Sequence, residues 1–284
     1  MKKARRQERH LVKGKSPMKL DAYLQRLGWT GTPKADRETL TNLIHAHLAS
    51  VPFENLNQQM GIPVSMDLDQ IYDKVVHQKR GGWCFELNSL FAWALMEIGF
   101  TVTKLSARVG ETKPDPDIPG NHLLLQIDCE EPLLVDVGFG GGIYGPVPLR
   151  PCTLDHAPYT ICISQEEDGY WKYSESADGN EASYWFKQEP VEISHFKPEN
   201  HRLQTDPNAS FMRTLTAQRR LTDHHLVLRG LVLKIITKTG TTQHTLSDQQ
   251  AFANCLRNDF HLDMPDILSI WPKLKQRHEE LFEG

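Results

Sequence analysis

The chain has 284 residues, 39% of them apolar and 24% charged, proportions that can bury a core and argue against a disordered polymer. A net charge of −4 leaves no basic field for nucleic acid, and no window approaches the roughly 20 apolar residues that span a bilayer. The five cysteines, Cys84, Cys129, Cys152, Cys162 and Cys255, form no CxxC pair. Neither a metal site nor a disulfide framework is expected, and reduced thiols in a cytoplasmic protein fit best.

Residues 1–16, MKKARRQERHLVKGKS, read as a basic, solvated tail, with no apolar run for a signal peptide. Segment 17–100 reads as a helical bundle. Leu40, Leu43, Ile44, His47 and Leu48 recur at helical spacing until Pro52 stops them. Leu68, Ile71, Tyr72 and Val75 predict a second helix, capped by Ser65 or Asp67. Cys84, Leu87, Phe91, Ala94, Leu95 and Ile98 predict a third, stopped by Gly99. The period then changes. Stretches 101–109, 121–127, 132–138, 159–164, 170–174 and 182–187 read as antiparallel strands, and 101–205 as a β-barrel or sandwich. Loop 111–120 carries three prolines. Segment 206–284 mixes strands at Leu226–Leu228 and Leu231–Ile236 with a turn over Lys238–Thr242. A helix after a capping box at Ser247 and a final helix over Ile267–Phe282 complete it.

The chemistry concentrates in Arg80-Gly-Gly-Trp-Cys84-Phe-Glu-Leu-Asn88. Cys84 follows two glycines and opens a helix, where the dipole and unpaired N–H groups favour the thiolate. A small buried hydrophobe is the bland alternative. A nucleophilic thiol needs a base and an orienting group. The stretch 121–139, NHLLLQIDCEEPLLVDVGF, offers both if it is a hairpin centred on Cys129, which sets His122 directly opposite Asp136. A one-residue slip would separate the pair, and a purely structural ion pair stays open as an alternative.

In order along the chain, Val51-Pro-Phe-Glu-Asn-Leu56, Arg80-Gly-Gly-x-Cys84-x-Glu-x-Asn88, a His-Leu-Leu-Leu strand and Asp136-Val-Gly-Phe-Gly140 resemble the arylamine N-acetyltransferase family. The Tyr23-Leu-Gln-Arg-Leu-Gly28 opening is similar to its first helix. The resemblance implies an α+β fold: an N-terminal helical bundle, a central antiparallel β-barrel and a C-terminal α/β lid, around a transglutaminase-like thiol-enzyme core. It implies Cys84, His122 and Asp136 as the catalytic triad and ping-pong acetyl transfer from acetyl-CoA to an arylamine or arylhydrazine. It places Phe53, Phe139 and Val109 on the amine slot, with core packing as the alternative for the phenylalanines. The glycines Gly138, Gly140 and Gly141 would give the CoA arm room, with its pyrophosphate nearby. Glu54 and Arg80 would form a buried ion pair under the loop before Cys84. Asn88 would hydrogen-bond near the site or cap a loop, and the Cys84 N–H would be an oxyanion donor. A monomer or weak homo-oligomer is expected. The same Cys, His, Asp order occurs in transglutaminase-like enzymes, so a thiol amidase or hydrolase is the first alternative reading. A non-catalytic relative that binds small molecules is the second.

Overall fold

The computed structural model describes residues 18–282, so the basic stretch 1–16 lies outside the described residues. Helix α1 (Leu20–Arg26) is followed by α2 (Arg37–Ser50), whose N-cap Asp36 accepts from the Thr39 N–H at 2.8 Å. The expected stripe Leu40, Leu43, Ile44, His47 and Leu48 is buried, and the chain turns extended at Val51, ahead of Pro52. Then come β1 (Phe53–Glu54), α3 (Leu56–Gln59) and α4 (Leu68–Tyr72). Asp67, rather than Ser65, caps α4 through the Gln70 N–H, and the helix runs on as a π-helical turn over Asp73–His77. Helix α5 (Cys84–Ile98) is buried continuously from Cys84 to Leu95. It is therefore the central helix of the bundle, covered on every side. Gly99, at φ 110°, supplies the left-handed stop.

The middle of the chain forms β2 (Thr101–Val109), β3 (His122–Asp128), β4 (Pro132–Val135), β5 (Val147–Pro148), β6 (Cys152–His156), β7 (Tyr159–Gln165), β8 (Trp171–Ala177) and β9 (Asn180–Pro190). They make one antiparallel eight-stranded sheet in the order β5-β4-β3-β2-β9-β8-β7-β6. Residues 149–151 join its two edge strands, so the sheet curls into a nearly closed barrel. Three details differ from the expectations of periodicity. Strands β5 and β6 are additional, because a two-residue strand has no period and β6 is half exposed. The strand expected over 132–138 ends at Val135, where the backbone leaves the ladder. The hairpin register pairs Leu125 with Val135 and Asp128 with Pro132, two residues away from the register that opposes His122 to Asp136.

Past the barrel come α6 (Lys197–Thr205), α7 (Ser210–Arg213), β10 (Thr216–Arg220), β11 (His224–Arg229), β12 (Val232–Thr237), β13 (Gly240–Thr245), α8 (Gln249–Asn258) and α9 (Trp271–Phe282). The second sheet has the order β1-β10-β11-β12-β13. Its first strand comes from the helical third, so the bundle and the C-terminal segment share one sheet. Strands β10 and β13 are also additional, and the predicted turn over Lys238–Thr242 tightens to 238–239. Asp248, not Ser247, caps α8, accepting from the Ala251 N–H at 2.8 Å. The final helix starts at Trp271, because Pro265–Ile270 form a 3-10 turn.

Three large apolar clusters, and a small fourth of Tyr159, Ala177 and Ile236 between the barrel and the C-terminal sheet, hold these parts together. The largest wraps α5 and reaches Leu123, Leu125, Val135 and Val137 of the hairpin. A second fills the barrel around Tyr173, Tyr184 and Phe186. A third lies under α8 and the C-terminal sheet. The first fastens the helix start carrying Cys84 to the strand carrying His122, which places the candidate site at the seam between bundle and barrel.

Candidate active site

Cys84 is the first residue of α5 and is 4% exposed. Its loop, Lys79–Trp83, is held by buried charges. Arg80 donates to Glu54 Oε1 from Nε at 3.0 Å and from a terminal nitrogen at 2.6 Å. Lys74 donates to both oxygens of Glu86, at 2.8 and 3.0 Å, and lies 3.9 Å from Glu54. Glu86 in turn accepts from the Trp83 N–H at 3.2 Å, and Glu54 from the Leu56 N–H at 2.7 Å. Burial opposes the Glu54 charge, but Arg80 and Lys74 outweigh it and hold the carboxyl below its ordinary value. At Glu86 burial wins over Lys74, and the carboxyl is raised. The expected Glu54–Arg80 pair is thus half of a four-charge line, Arg80–Glu54–Lys74–Glu86. Gly81 and Gly82 are required because a Cβ at either would strike the Pro52 carbonyl or the Glu86 carboxylate.

His122 opens β3 and Asp136 follows β4, both buried. His122 Nε2 meets Asp136 Oδ2 at 2.6 Å. This leaves Nδ1 for the Cys84 side, whose thiol is close enough to the ring to favour its charged form. Burial pushes the imidazole pKa down. The Asp136 carboxylate, by charge and hydrogen bond, and the Cys84 sulfur outweigh that and raise it to about 10. Asp136 Oδ1 accepts from the Gly138 N–H at 3.0 Å and from Asn88 Nδ2 at 2.9 Å. Asn88 also donates to the Leu123 carbonyl at 2.6 Å and accepts from the Val137 N–H at 3.0 Å. One turn below Cys84, it therefore ties helix, strand and carboxylate into a single unit, so it hydrogen-bonds at the site rather than capping a distant loop.

These side chains open onto a cleft of about 700 Å³ between the barrel and the C-terminal sheet. Phe53, Val109 and Phe139 line it with Cys84 and His122. The Phe139 ring lies edge-on to His122, with centroids 5.3 Å apart. Gly138 and Gly140 line the cleft, and Gly141 does not. A Cβ on Gly138 would sit 2.7 Å from Cys84 Cα, so this glycine serves close packing of the strand end on the helix start. Gly142 N–H donates to Glu175 Oε2 at 2.7 Å. A carboxylate so placed repels a diphosphate, which disfavours the glycine run as its cradle. The cations on the cleft are Arg202, Arg229 and Lys234. Arg202 is engaged with Glu199 and Asp206, whereas among the described residues no carboxylate is paired with Arg229 or Lys234.

Several contributors are not legible in the sequence. Asn55 donates to the Phe211 and Thr214 carbonyls at 2.8 and 2.9 Å, anchoring the segment that closes one side of the cleft. Phe211 packs on Phe53 and Trp83 at 6.0 and 5.3 Å. Glu175 has a usable signal, since it stands at an inward position of the alternating Trp171, Tyr173, Glu175, Ala177 pattern. Arg229 and Lys234 have none, because only pairing of β11 with β12 brings them to one wall. No cluster of three or more metal-ligating side chains occurs among the described residues. No helix there is long and apolar enough to cross a membrane.

A family model described as N-acetyltransferase matches residues 36–268, so the protein is an acyltransferase. The arylamine N-acetyltransferase of Mycolicibacterium smegmatis is 31% identical over 261 residues, covering 88% of this chain and 94% of that protein. Human arylamine N-acetyltransferase 1 is 35% identical over 217 residues, covering 68% and 75%. The solved structure of the Mycobacterium marinum arylamine N-acetyltransferase in complex with CoA superposes with a TM-score of 0.80 at 27% identity, covering 92% of this chain and 99% of that one. The chain belongs to the arylamine N-acetyltransferase family.

Proposed function

We propose that this chain moves an acetyl group from acetyl-CoA to the nitrogen of an arylamine or arylhydrazine through an acetyl-thioester on Cys84. The observation that carries the reading is the buried Cys84, His122, Asp136 line, with His122 Nε2 held 2.6 Å from the carboxylate and its other nitrogen left for the thiol, at the floor of an apolar-walled cleft. Asp136 keeps the imidazole charged, and the reaction runs through a Cys84 thiolate beside that imidazolium. The thiolate attacks the acetyl-CoA carbonyl carbon. The carbonyl oxygen becomes an oxyanion facing the first-turn N–H groups of α5, with that of Cys84 the nearest by position. The intermediate collapses, the bond to the CoA sulfur breaks, and the departing sulfur takes the His122 proton.

The amine nitrogen then attacks the acetyl-cysteine carbonyl. His122, now neutral, takes the nitrogen's proton, and the Cys84 thiolate leaves, restoring the starting pair. Exchange between two thioesters is near balance, and amide formation drives the second half downhill. An arylamine suits the site because its nitrogen is unprotonated at neutral pH and its ring lies on Phe53 and Phe139. Gly138 and Gly140 leave space beside the sulfur for the acyl arm. Arg229 and Lys234 are assigned to the CoA phosphates, being cleft cations without a carboxylate partner among the described residues. A reducing compartment such as the cytoplasm suits the chemistry, all five cysteines being free.

Intact-protein mass spectrometry after brief exposure to acetyl-CoA tests the reading. One acetyl group is expected on Cys84, removed when an arylamine is added and absent in Cys84→Ala. A protein that takes up no acetyl, or a label that persists in Cys84→Ala, rejects it.

A further inference from the structure

Glu175 has no part in the proton transfers above, yet it lines the same cleft as Cys84 and His122. Strand β8 sends it into the barrel, where it is 5% exposed. Its Oε2 accepts from the Tyr173 hydroxyl at 2.5 Å and the Gly142 N–H at 2.7 Å. Among the described residues no protein donor meets Oε1 and no cation forms an ion pair with the carboxylate. The charges that act on it from a distance are Asp136 and Arg220. Burial, working against the Tyr173 and Gly142 hydrogen bonds, lifts its pKa to about 7. An unpaired buried carboxylate costs stability, and fastening Gly142 and Tyr173 occupies only one of its oxygens.

The cleft wall gives this oxygen a direction. The Phe139 ring lies 5.3 Å from His122 and 6.0 Å from Tyr173, and Tyr173 holds Glu175. A Cβ on Gly141 would strike both Glu175 Oε1 and the Phe139 ring, so the free oxygen lies beside that ring, on the same cleft as Cys84 and within reach of a substrate ring stacked along Phe139.

We propose that Glu175 selects among arylamines, its Oε1 accepting a hydrogen bond from a donor group on the far side of the ring and its charge repelling an anionic substituent there. The inference rests on the acetyl-transfer reading of the cleft and names the class of amine that the cleft takes: neutral rings with a distal N–H or O–H donor, in preference to ring carboxylates.

4-Aminobenzamide and 4-aminobenzoate form the test pair. Both carry an electron-withdrawing carbonyl substituent, one as a neutral donor and the other as an anion. At pH 8 the wild type should acetylate the amide with a kcat/KM roughly tenfold or more above that of the carboxylate, as expected for one hydrogen bond to a charged group gained or lost. Glu175→Gln keeps an oxygen for Tyr173 and Gly142 but removes the charge. It should narrow that ratio by about tenfold. Equal efficiency on the two amines in the wild type overturns the inference even if the variant fails to fold. An unchanged ratio in a Glu175→Gln enzyme that still acetylates Cys84 reduces Glu175 to a scaffold and also overturns it. Wild-type protein that takes up no acetyl overturns the acetyl-transfer reading itself, a result separable from the other two.

Discussion

His122 and Asp136 meet at 2.6 Å without facing one another across their hairpin. With Leu125 paired to Val135, the position opposite Asp136 continues to Leu124, two residues along β3 from His122. The displacement is even, so both side chains keep to the same face, and the chain's departure from the ladder after Val135 brings the carboxylate across. Asn88 and the Gly138 N–H then fix its second oxygen.

Asp136→Asn should test the electrostatic half of this arrangement. The amide keeps the shape but loses the charge that raises the His122 pKa to about 10. Loss of activity on the order of a thousandfold or more is expected, by analogy with other triads lacking their acid. NMR titration of the ring should show His122 losing its proton at a lower pH than in the wild type. An unchanged His122 titration would contradict the assigned cause.

The buried line of charges Arg80, Glu54, Lys74 and Glu86 predicts an asymmetry. Arg80→Ala leaves Glu54, at 0% exposure, with only the more distant Lys74 at 3.9 Å, and should cost roughly 3 kcal/mol in urea unfolding. The paired replacement Glu54→Gln with Arg80→Met should cost clearly less, because no charge is left alone. Equal losses would mean that these four side chains act through packing alone.

Gly138→Ala places a methyl 2.7 Å from Cys84 Cα and 2.8 Å from Asn88 Nδ2. A crowded site of this kind costs roughly 1–3 kcal/mol, and here the displaced atoms carry the nucleophile. The variant should stay folded by circular dichroism yet react slowly with iodoacetamide at Cys84. Wild-type alkylation rates would show that the contact has slack.

If Arg229 and Lys234 hold the CoA phosphates, Arg229→Ala and Lys234→Ala should each raise KM for acetyl-CoA. Transfer from a small acetyl ester lacking the nucleotide should be unaffected. A KM unchanged with acetyl-CoA would move the phosphates elsewhere on the cleft.

Acid should weaken the fold through three desolvated histidines, the buried His47 and His225 and the partly buried His156. Desolvation holds His47 and His225 neutral to about pH 3 and His156 to about pH 4. The unfolded chain binds these protons near 6.5, so their contribution is present above that value and is lost as pH falls from 6.5 toward 3–4. The urea midpoint should drop between pH 7.5 and pH 5, and His47→Gln should drop less. Equal falls would shift the acid sensitivity to other groups.

Much of the fold and site is legible in the order of residues. Periodicity locates α2, the stop at Gly99 and most barrel strands, because a one-sided burial demand writes itself into spacing. The motif around Cys84 and the resemblance it carries point to the triad, Phe53 and Phe139. Short β5 and the weakly patterned β10 and β13 escape, since their pairing rests on partners distant in the chain. The cap of α8 falls at Asp248, one residue past the expected Ser247, because both are good capping types and backbone geometry alone separates them.

The sequence by itself determined which chemistry the chain carries: a thiol at a helix start, an imidazole, a carboxylate and the glycines that let backbones approach, all local matters of residue type and neighbour. Tertiary structure alone decided what surrounds them. It set the hairpin register, joined β1 to a sheet built from the far end of the chain, brought Lys74 and Glu86 to Glu54 and Arg80, and placed Glu175, Arg229 and Lys234 on one cleft. Such meetings depend on packing between segments tens to more than a hundred residues apart, and pairwise approach over that distance leaves no period in the sequence.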